Sequence, residues 1–274
     1  MKIIIVGLGL IGGSIAKALK QNTSHQVLGM DTNQDALLDA CSCGAIDGKA
    51  DTADLRTADM VYLCVYPEAA LAFAQEHGPV LKEGCLLTDT CGVKEELCAG
   101  MAELTGGNYI FVAGHPMAGK ERSGFGASDP SIFVGASYIL VDTGAPSWAV
   151  SQVEELAGAM GFGRIVRTTP ARHDQMIAFT SQLPHALACA YVASPRCEEH
   201  QGFSAGSYRD VSRVAAINEV LWSRLFLDNR RALVEELDEL NRNLKRIRDA
   251  VSQGEEEQLR ELLRKAADTK RRVG

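Results

Sequence analysis

The sequence has no surplus of basic charge, no long unbroken apolar run and no paired cysteine spacing of the zinc-binding kind. Each absence removes a class of function. A formal net charge of −7 excludes general attraction to nucleic acid or to an anionic lipid surface, so any charges that bind an anionic ligand must be local. Nowhere do about eighteen consecutive apolar residues occur, so no segment is expected to cross a membrane. The eight cysteines, Cys41, Cys43, Cys64, Cys85, Cys91, Cys98, Cys189 and Cys197, stand singly apart from one Cys-x-Cys pair. That spacing fits neither a metal site nor a short secreted disulfide framework. Reduced thiols in a cytoplasmic protein, with cysteine as a small core residue, are the expectation. Internal repeats and low-complexity tracts are also missing.

What is present is an ordinary globular composition, 46% hydrophobic and 23% charged over 274 residues, enough for one large domain or two modest ones. The run Ile3-Ile4-Ile5-Val6 has a signal-peptide look. It is broken by Gly7, Gly9, Gly12 and Gly13, followed by Lys17 and Lys20 on a helical pattern, and closed by no convincing cleavage site, so it reads as mature structure.

The first part of the chain alternates β-branched runs with helical patterns, as parallel βαβ units do. Strands are expected at Lys2–Val6, Gln26–Met30, Met60–Val65, Cys85–Thr88, Tyr109–Ala113, Ser137–Asp142 and Arg164–Thr168. Helices are expected at Gly12–Gln21, Glu68–His77, Val93–Leu104 and Ser147–Met160. After Pro170 no strand pattern remains. Helices about Arg172–Ser194, Asp210–Asn218, Glu219–Gln253 and Glu255–Arg271 fill the rest. The expected architecture is α/β, a Rossmann-type dinucleotide-binding domain over residues 1–168, followed by an all-helical domain over 169–274. Leu233, Leu237, Leu240, Leu244, Ile247 and Val251 recur at alternating steps of four and three, a heptad-like seam. Such a seam packs a helix within its own domain or joins two subunits. A homodimer through the C-terminal helices is the expectation.

Gly7-Leu8-Gly9-Leu10-Ile11-Gly12 forms G-x-G-x-x-G between an expected strand and an expected helix. Gly7 permits the sharp turn, Gly9 lets backbone approach a pyrophosphate, and Gly12 lets helix and strand pack closely. Asp31 ends the second strand about twenty residues on, where an acid binds ribose hydroxyls. A carboxylate there repels the extra phosphate of NADP, and no arginine follows among Thr32, Asn33 and Gln34, so NAD is the expected cofactor. Val65 and Thr90 complete the expected nucleotide contacts.

Gly114-His115-Pro116-Met117-Ala118-Gly119 follows the strand Tyr109–Ala113, at the end where open α/β sheets bind ligands. An imidazole there suits oxidation of an alcohol, because it titrates near neutrality and can take the hydroxyl proton as hydride leaves. Spacing alone equally allows a histidine that merely stabilises a loop.

The stretch Gly114–Gly124, reading GHPMAGKERSG, resembles the histidine motif of the prephenate and arogenate dehydrogenases. Further features of that family occur in order: the N-terminal fingerprint, Thr88-Asp89 with Val93-Lys94, His173-Asp174, Ser181-Gln182-Leu183-Pro184-His185, Arg209-Asp210-Val211-Ser212-Arg213, and Trp222. They span nearly the whole chain. The resemblance implies that prephenate is oxidatively decarboxylated to 4-hydroxyphenylpyruvate with NAD, in tyrosine biosynthesis. His115 would accept the ring hydroxyl's proton, and Arg213 would bind a substrate carboxylate, with Arg209 one helical turn away on the same face. Without the family, two arginines beside Asp210 read as a surface ion-pair cluster. The resemblance also places Ser181, Gln182 and His185 along the substrate pocket and brings Glu121 and Asp210 into an ionic network over it. His173, beside Asp174, reads as a cap or brace of the first helix beyond the sheet.

Two departures stand out. Many relatives carry a serine at the position of Gly92, where its hydroxyl assists the histidine; here that role is vacant or passes to Thr90 or another group. Gln182 occupies a position where a second histidine often occurs. No regulatory domain or fused mutase is evident, so any feedback by tyrosine is expected at the active site. The alternatives are an arogenate dehydrogenase and a non-catalytic NAD-binding sensor. A β-hydroxyacid dehydrogenase would use a lysine of the helical domain, and none lies between Lys120 and Lys245. Activity is expected to rise with pH through a group near histidine's ordinary pKa of about 6.5.

Overall fold

The computed structural model describes Met1–Lys120 and Arg122–Gly274; Glu121, expected in the ionic network, lies outside the described residues. Among the described residues eight strands form one sheet: β1 (Lys2–Val6), β2 (Gln26–Met30), β3 (Gly48–Lys49), β4 (Met60–Leu63), β5 (Cys85–Asp89), β6 (Tyr109–Pro116), β7 (Ser137–Val141) and β8 (Arg164–Thr168). Among the described residues twelve α-helices accompany them: α1 (Leu10–Asn22), α2 (Gln34–Ser42), α3 (Thr52–Leu55), α4 (Pro67–His77), α5 (Glu95–Glu103), α6 (Ser147–Ala159), α7 (Pro170–Ile177), α8 (Leu183–Val192), α9 (Gly206–Ser212), α10 (Glu219–Asp228), α11 (Arg230–Gln253) and α12 (Glu256–Val273).

The strand order is β3-β2-β1-β4-β5-β6-β7-β8. Pairing is parallel from β3 to β6 and between β7 and β8, but β6 and β7 run antiparallel, His115 standing opposite Ile139. Uniform βαβ alternation is therefore broken once. The cause is the connection: among the described residues between β6 and β7 the chain makes only short 3-10 turns at Phe125–Ala127 and Pro130–Phe133, whereas a parallel return needs a crossover, usually a helix.

The strands read as continuous apolar runs because both faces of the sheet are covered. Ile3, Ile5, Met60, Tyr62 and Leu86 pack with Ile15 and Leu19 of α1. Ile4, Val61, Leu63 and Leu87 pack on the other face with Phe73 of α4 and Leu97 of α5. The stretch between β2 and β4 holds α2, β3 and α3, which the strand-and-helix pattern above leaves blank. Asn33 caps α2 by accepting from Asp35 N and Ala36 N, and Asp51 and Asp54 form a capping box at α3.

The chain divides into two compact units: Met1–Ile177 with Ala216–Asp228, and Ala178–Ala215 with Asn229–Gly274. Two long helices expected after Pro170 are interrupted. Pro184 has no N–H to donate, and the turn before it widens into a π-helix at Ala178–Gln182 before α8 begins. Asn229 breaks the expected Glu219–Gln253 helix into α10 and α11; its buried amide donates to Gln182 Oε1 at 2.8 Å. Among the described residues, no helix is long and apolar enough to cross a membrane.

Candidate active site

The turn after β1 forms as its glycines require. Gly7 has φ +89, a left-handed geometry that disfavours a side chain, and a Cβ there would meet Cys64 O at 2.5 Å. A Cβ on Gly12 would lie 1.8 Å from Gly7 O, so only glycine lets α1 start this close to the turn. Above Gly9 the space is open: a Cβ there would meet nothing within 4 Å. The first bond of the helix is Gly13 N to Gly9 O at 2.9 Å, which leaves the N–H groups of Leu10, Ile11 and Gly12 ahead of the ladder at the positive end of the helix dipole. This is a cradle for a phosphate group.

Asp31 lies at the end of β2 and accepts Leu8 N at 2.6 Å through Oδ2 and Asn33 N at 2.7 Å through Oδ1. Its carboxylate is thus held against the glycine turn. Val65 and Thr90 follow the C-terminal ends of β4 and β5, on the same edge as the turn, Val65 lying against Gly7 and Thr90 N bonding Leu63 O at 3.1 Å. The residues present therefore fit a dinucleotide: a tight turn, an open helix N-terminus and an acid at ribose distance in sequence.

His115 lies inside β6, which runs on to Pro116, and not in a loop after it. Strand pairing with β7 fixes its backbone. Beneath it sits a fully buried ion pair, Lys94 with Asp89. Lys94 Nζ also donates to Gly114 O at 2.6 Å, while Asp89 accepts Gly114 N at 3.2 Å and Cys91 N at 2.8 Å. Both peptide groups of Gly114 are thereby pinned immediately before the histidine.

His115 Nδ1 lies 2.9 Å from His173 Nε2, and His173 Nδ1 lies 2.6 Å from Asp174 Oδ1. Asp174 in turn accepts Lys94 N and Glu95 N, each at 2.8 Å, capping α5. Among the described residues, His115 Nε2 has no hydrogen-bond partner, and a Cβ placed on Gly92 would stand 4.0 Å from it. Burial pushes the pKa of His115 well below 6.5, and the neighbouring His173 and Lys94 push it the same way. The acid limb expected near 6.5 is therefore displaced to lower pH. His173 is also lowered, chiefly by burial, against the opposing pull of Asp174.

His173 was expected only to cap or brace a helix. Its tie to His115, 58 residues away, is a tertiary contact; the sequence signal was the bare His-Asp pair. Thr90 does not replace the missing serine hydroxyl, since its Oγ1 faces Leu63 O at 3.5 Å. The space beside Gly92 is instead approached by Leu225 of α10, 3.4 Å from the same hypothetical Cβ. Thiol chemistry is disfavoured here: burial raises Cys64 to about 12 and Cys91 well above 9.0. Among the described residues, no cluster of three metal-binding side chains occurs. A concavity of about 730 Å³ lined by Met101, Tyr109, Phe111, Asp142 and Pro170 lies at the start of β6, the opposite end of that strand from His115.

The second unit holds the other expected residues. His185 Nδ1 donates to Ser181 O at 2.7 Å, which places a proton on Nδ1 and orients the ring. Ser181 belongs to the π-turn. Gln182 is buried, its oxygen taken up by Asn229, so part of its amide serves as a brace. Arg209, near the end of α9, and Arg213, its C-cap, are exposed; Arg209 Nε lies 4.0 Å from its neighbour Asp210.

Two family descriptions match the chain: the nucleotide-binding domain of prephenate dehydrogenase over residues 15–166, and the dimerization domain of prephenate dehydrogenase over 169–265. A prephenate dehydrogenase of Bacillus subtilis (strain 168) is 31% identical over 277 residues, covering 97% of this chain and 74% of the relative. Among solved structures, the prephenate dehydrogenase of A. aeolicus in complex with hydroxyphenyl propionate and NAD+ superposes with a TM-score of 0.89 at 26% identity, covering 100% of this chain and 99% of the other. The arogenate dehydrogenase of Synechocystis superposes with a TM-score of 0.86 at 27% identity, covering 100% of both chains.

Proposed function

Because the chain belongs to the prephenate dehydrogenase family, we propose that it oxidatively decarboxylates prephenate to 4-hydroxyphenylpyruvate with NAD. The observation that carries this reading is His115, fixed at the end of β6 with Nδ1 engaged and Nε2 free of hydrogen bonds among the described residues. NAD, when bound, supplies the hydride acceptor, and the glycine turn, the N-terminus of α1 and Asp31 would hold it. His115 takes the hydroxyl proton at Nε2, which raises electron density on the carbinol carbon as its hydride leaves. The departing carboxylate leaves its bonding electrons in the ring, so aromatisation drives the reaction and alignment is the chain's main task.

Arg213 is proposed to bind a substrate carboxylate through its planar guanidinium, with Arg209 adding charge, and His185 to contact the side chain through Nε2. Ser181 and Gln182 shape that region, Gln182 through its brace to Asn229. Two copies are proposed to pair through α11 and α12. The seam supports this: Leu233 is buried, while Leu244, Ile247 and Val251 further along are 48%, 38% and 61% exposed. Residence in the cytoplasm belongs to the same proposal.

A second reading, arogenate as substrate, is favoured by the full-length likeness to the Synechocystis enzyme. A spectrophotometric assay of prephenate and arogenate, each with NAD and with NADP, separates the two. NADH formation with prephenate is expected. Faster turnover of arogenate would exchange the substrates, and no reduction with either would sink the enzymatic reading.

A further inference from the structure

His173 and Asp174 are almost wholly buried, 1% and 2% exposed, and they stand behind the nitrogen of His115 that faces away from Gly92. We propose that they form a relay which keeps the His115 proton on Nδ1 and stores the proton borrowed from the substrate until it is returned. The proposal rests on the role of His115 given above.

The hydrogen-bond order follows from donor and acceptor inventory. Asp174 accepts two backbone N–H groups, Lys94 N and Glu95 N, both oxygens serving as acceptors. An ionised carboxylate only accepts, so His173 Nδ1 must be the donor at 2.6 Å. In a neutral His173 the other nitrogen then carries only a lone pair. His115 Nδ1, 2.9 Å away, must donate to it. His115 Nε2 is left as a bare lone pair, the form a proton acceptor needs. Were His173 charged, both its nitrogens would donate and His115 would carry its own proton on Nε2, unable to act. The charged and titratable groups around the pair are Asp89, Lys94 and Asp174; burial is the main influence that lowers His173, which keeps it neutral in the resting enzyme.

The reaction then needs no path to solvent. The substrate O–H bond breaks and His115 Nε2–H forms. The His115 Nδ1–H bond breaks and His173 Nε2–H forms, so positive charge comes to rest on the ring that bonds Asp174. The ring electrons left by the departing carbon dioxide place negative charge on the former hydroxyl oxygen, and the same transfers reversed return the proton to it. Dianionic prephenate and NAD+ become a monoanion, carbon dioxide and NADH, and charge balances with no proton released. A pair shielded from water suits a proton that is lent and returned.

Nitrogen-15 NMR of histidine-labelled, ligand-free enzyme reads the tautomers directly, with His115→Asn and His173→Gln spectra for assignment. Nδ1–H is expected on both rings, against the Nε2–H form that free neutral histidine prefers. A resting His115 with its proton on Nε2 overturns the relay. In turnover, His173→Leu should lower kcat by about 10²-fold with KM nearly unchanged, the lower end of general acid–base contributions. His173→Gln, whose amide oxygen can accept from His115 Nδ1, should recover a large part. Equal losses in the two variants, or losses tracking thermal stability, would overturn it in favour of packing alone. If His115→Asn itself turns over normally, the assigned base is wrong. If that variant is inactive while the tautomers are reversed, the relay alone is wrong.

Discussion

The two units differ in how they hold themselves together. The sheet-bearing unit buries apolar side chains on both faces of β1, β4 and β5, and it fixes its polar groups internally, Lys94 on Asp89 and His115 on His173. In the helical unit, the buried hydrophobic residues among those described are Ala178, Ala188, Ala232, Leu233 and Ala250, while Phe179, Phe203, Leu244 and Val251 are more than 45% exposed. A unit with so little apolar area removed from water has little to set against the entropy of ordering its chain. The difference teaches a division of labour. Groups proposed to act in bond breaking sit where packing fixes them, and groups proposed to take hold of something else, a carboxylate or a second copy, sit where surface is left open.

Four variants and a pH profile bear on that division. His115→Asn should lower kcat by about 10²–10⁴-fold while the NAD affinity read by fluorescence titration stays unchanged. Full turnover in this variant would take the chemistry out of the sheet-bearing unit. Lys94→Met should cost about 3–5 kcal/mol in urea unfolding, because Asp89 is left buried and uncompensated, and the loss should not depend on protein concentration. The paired change Leu244→Glu and Ile247→Glu should behave oppositely. Sedimentation should show monomer, and the Tm should cease to rise with protein concentration, each side chain forfeiting roughly 1.5–3 kcal/mol of burial. A dimer that survives both charges would place the interface elsewhere.

Arg213→Ala should raise KM by about 10- to 100-fold with kcat little altered, the size of a hydrogen bond to a charged group of about 1.5–3 kcal/mol. A fall in kcat without change in KM would bring the arginine into the chemistry and blur the contrast. The smallest effect is in pH. His115 accepts a proton only when neutral, and burial first, then His173 and Lys94, hold its pKa well below 6.5. The rate of the wild type should therefore stay level as pH drops through 6.5 and decline only well beneath it. A limb centred at 6.5 would mean that the ring is open to water.

Much of this was legible along the chain. β1, β2 and β8 fall where periodicity puts them, and the glycine turn, Asp31 and His115 are readable because their chemistry depends on local order: a turn, a helix start, a strand end. What escaped depends on partners far away. The antiparallel β7 follows from a connection without a crossover helix among the described residues, and the break at Asn229 goes with a hydrogen bond from its amide to Gln182, 47 residues earlier. The π-turn before Pro184 has one sequence sign, the missing N–H, set within an otherwise helical pattern.

The sequence by itself determined that a dinucleotide turn follows the first strand, that a histidine stands close after the apolar run Tyr109–Ala113 and that a heptad seam runs from Leu233 to Val251, because backbone sterics and hydrophobic periodicity act between near neighbours. Only the tertiary structure decided which nitrogen of that histidine is engaged and by whom. Hydrogen bonding at 2.9 Å and burial join residues that the linear order keeps 58 positions apart.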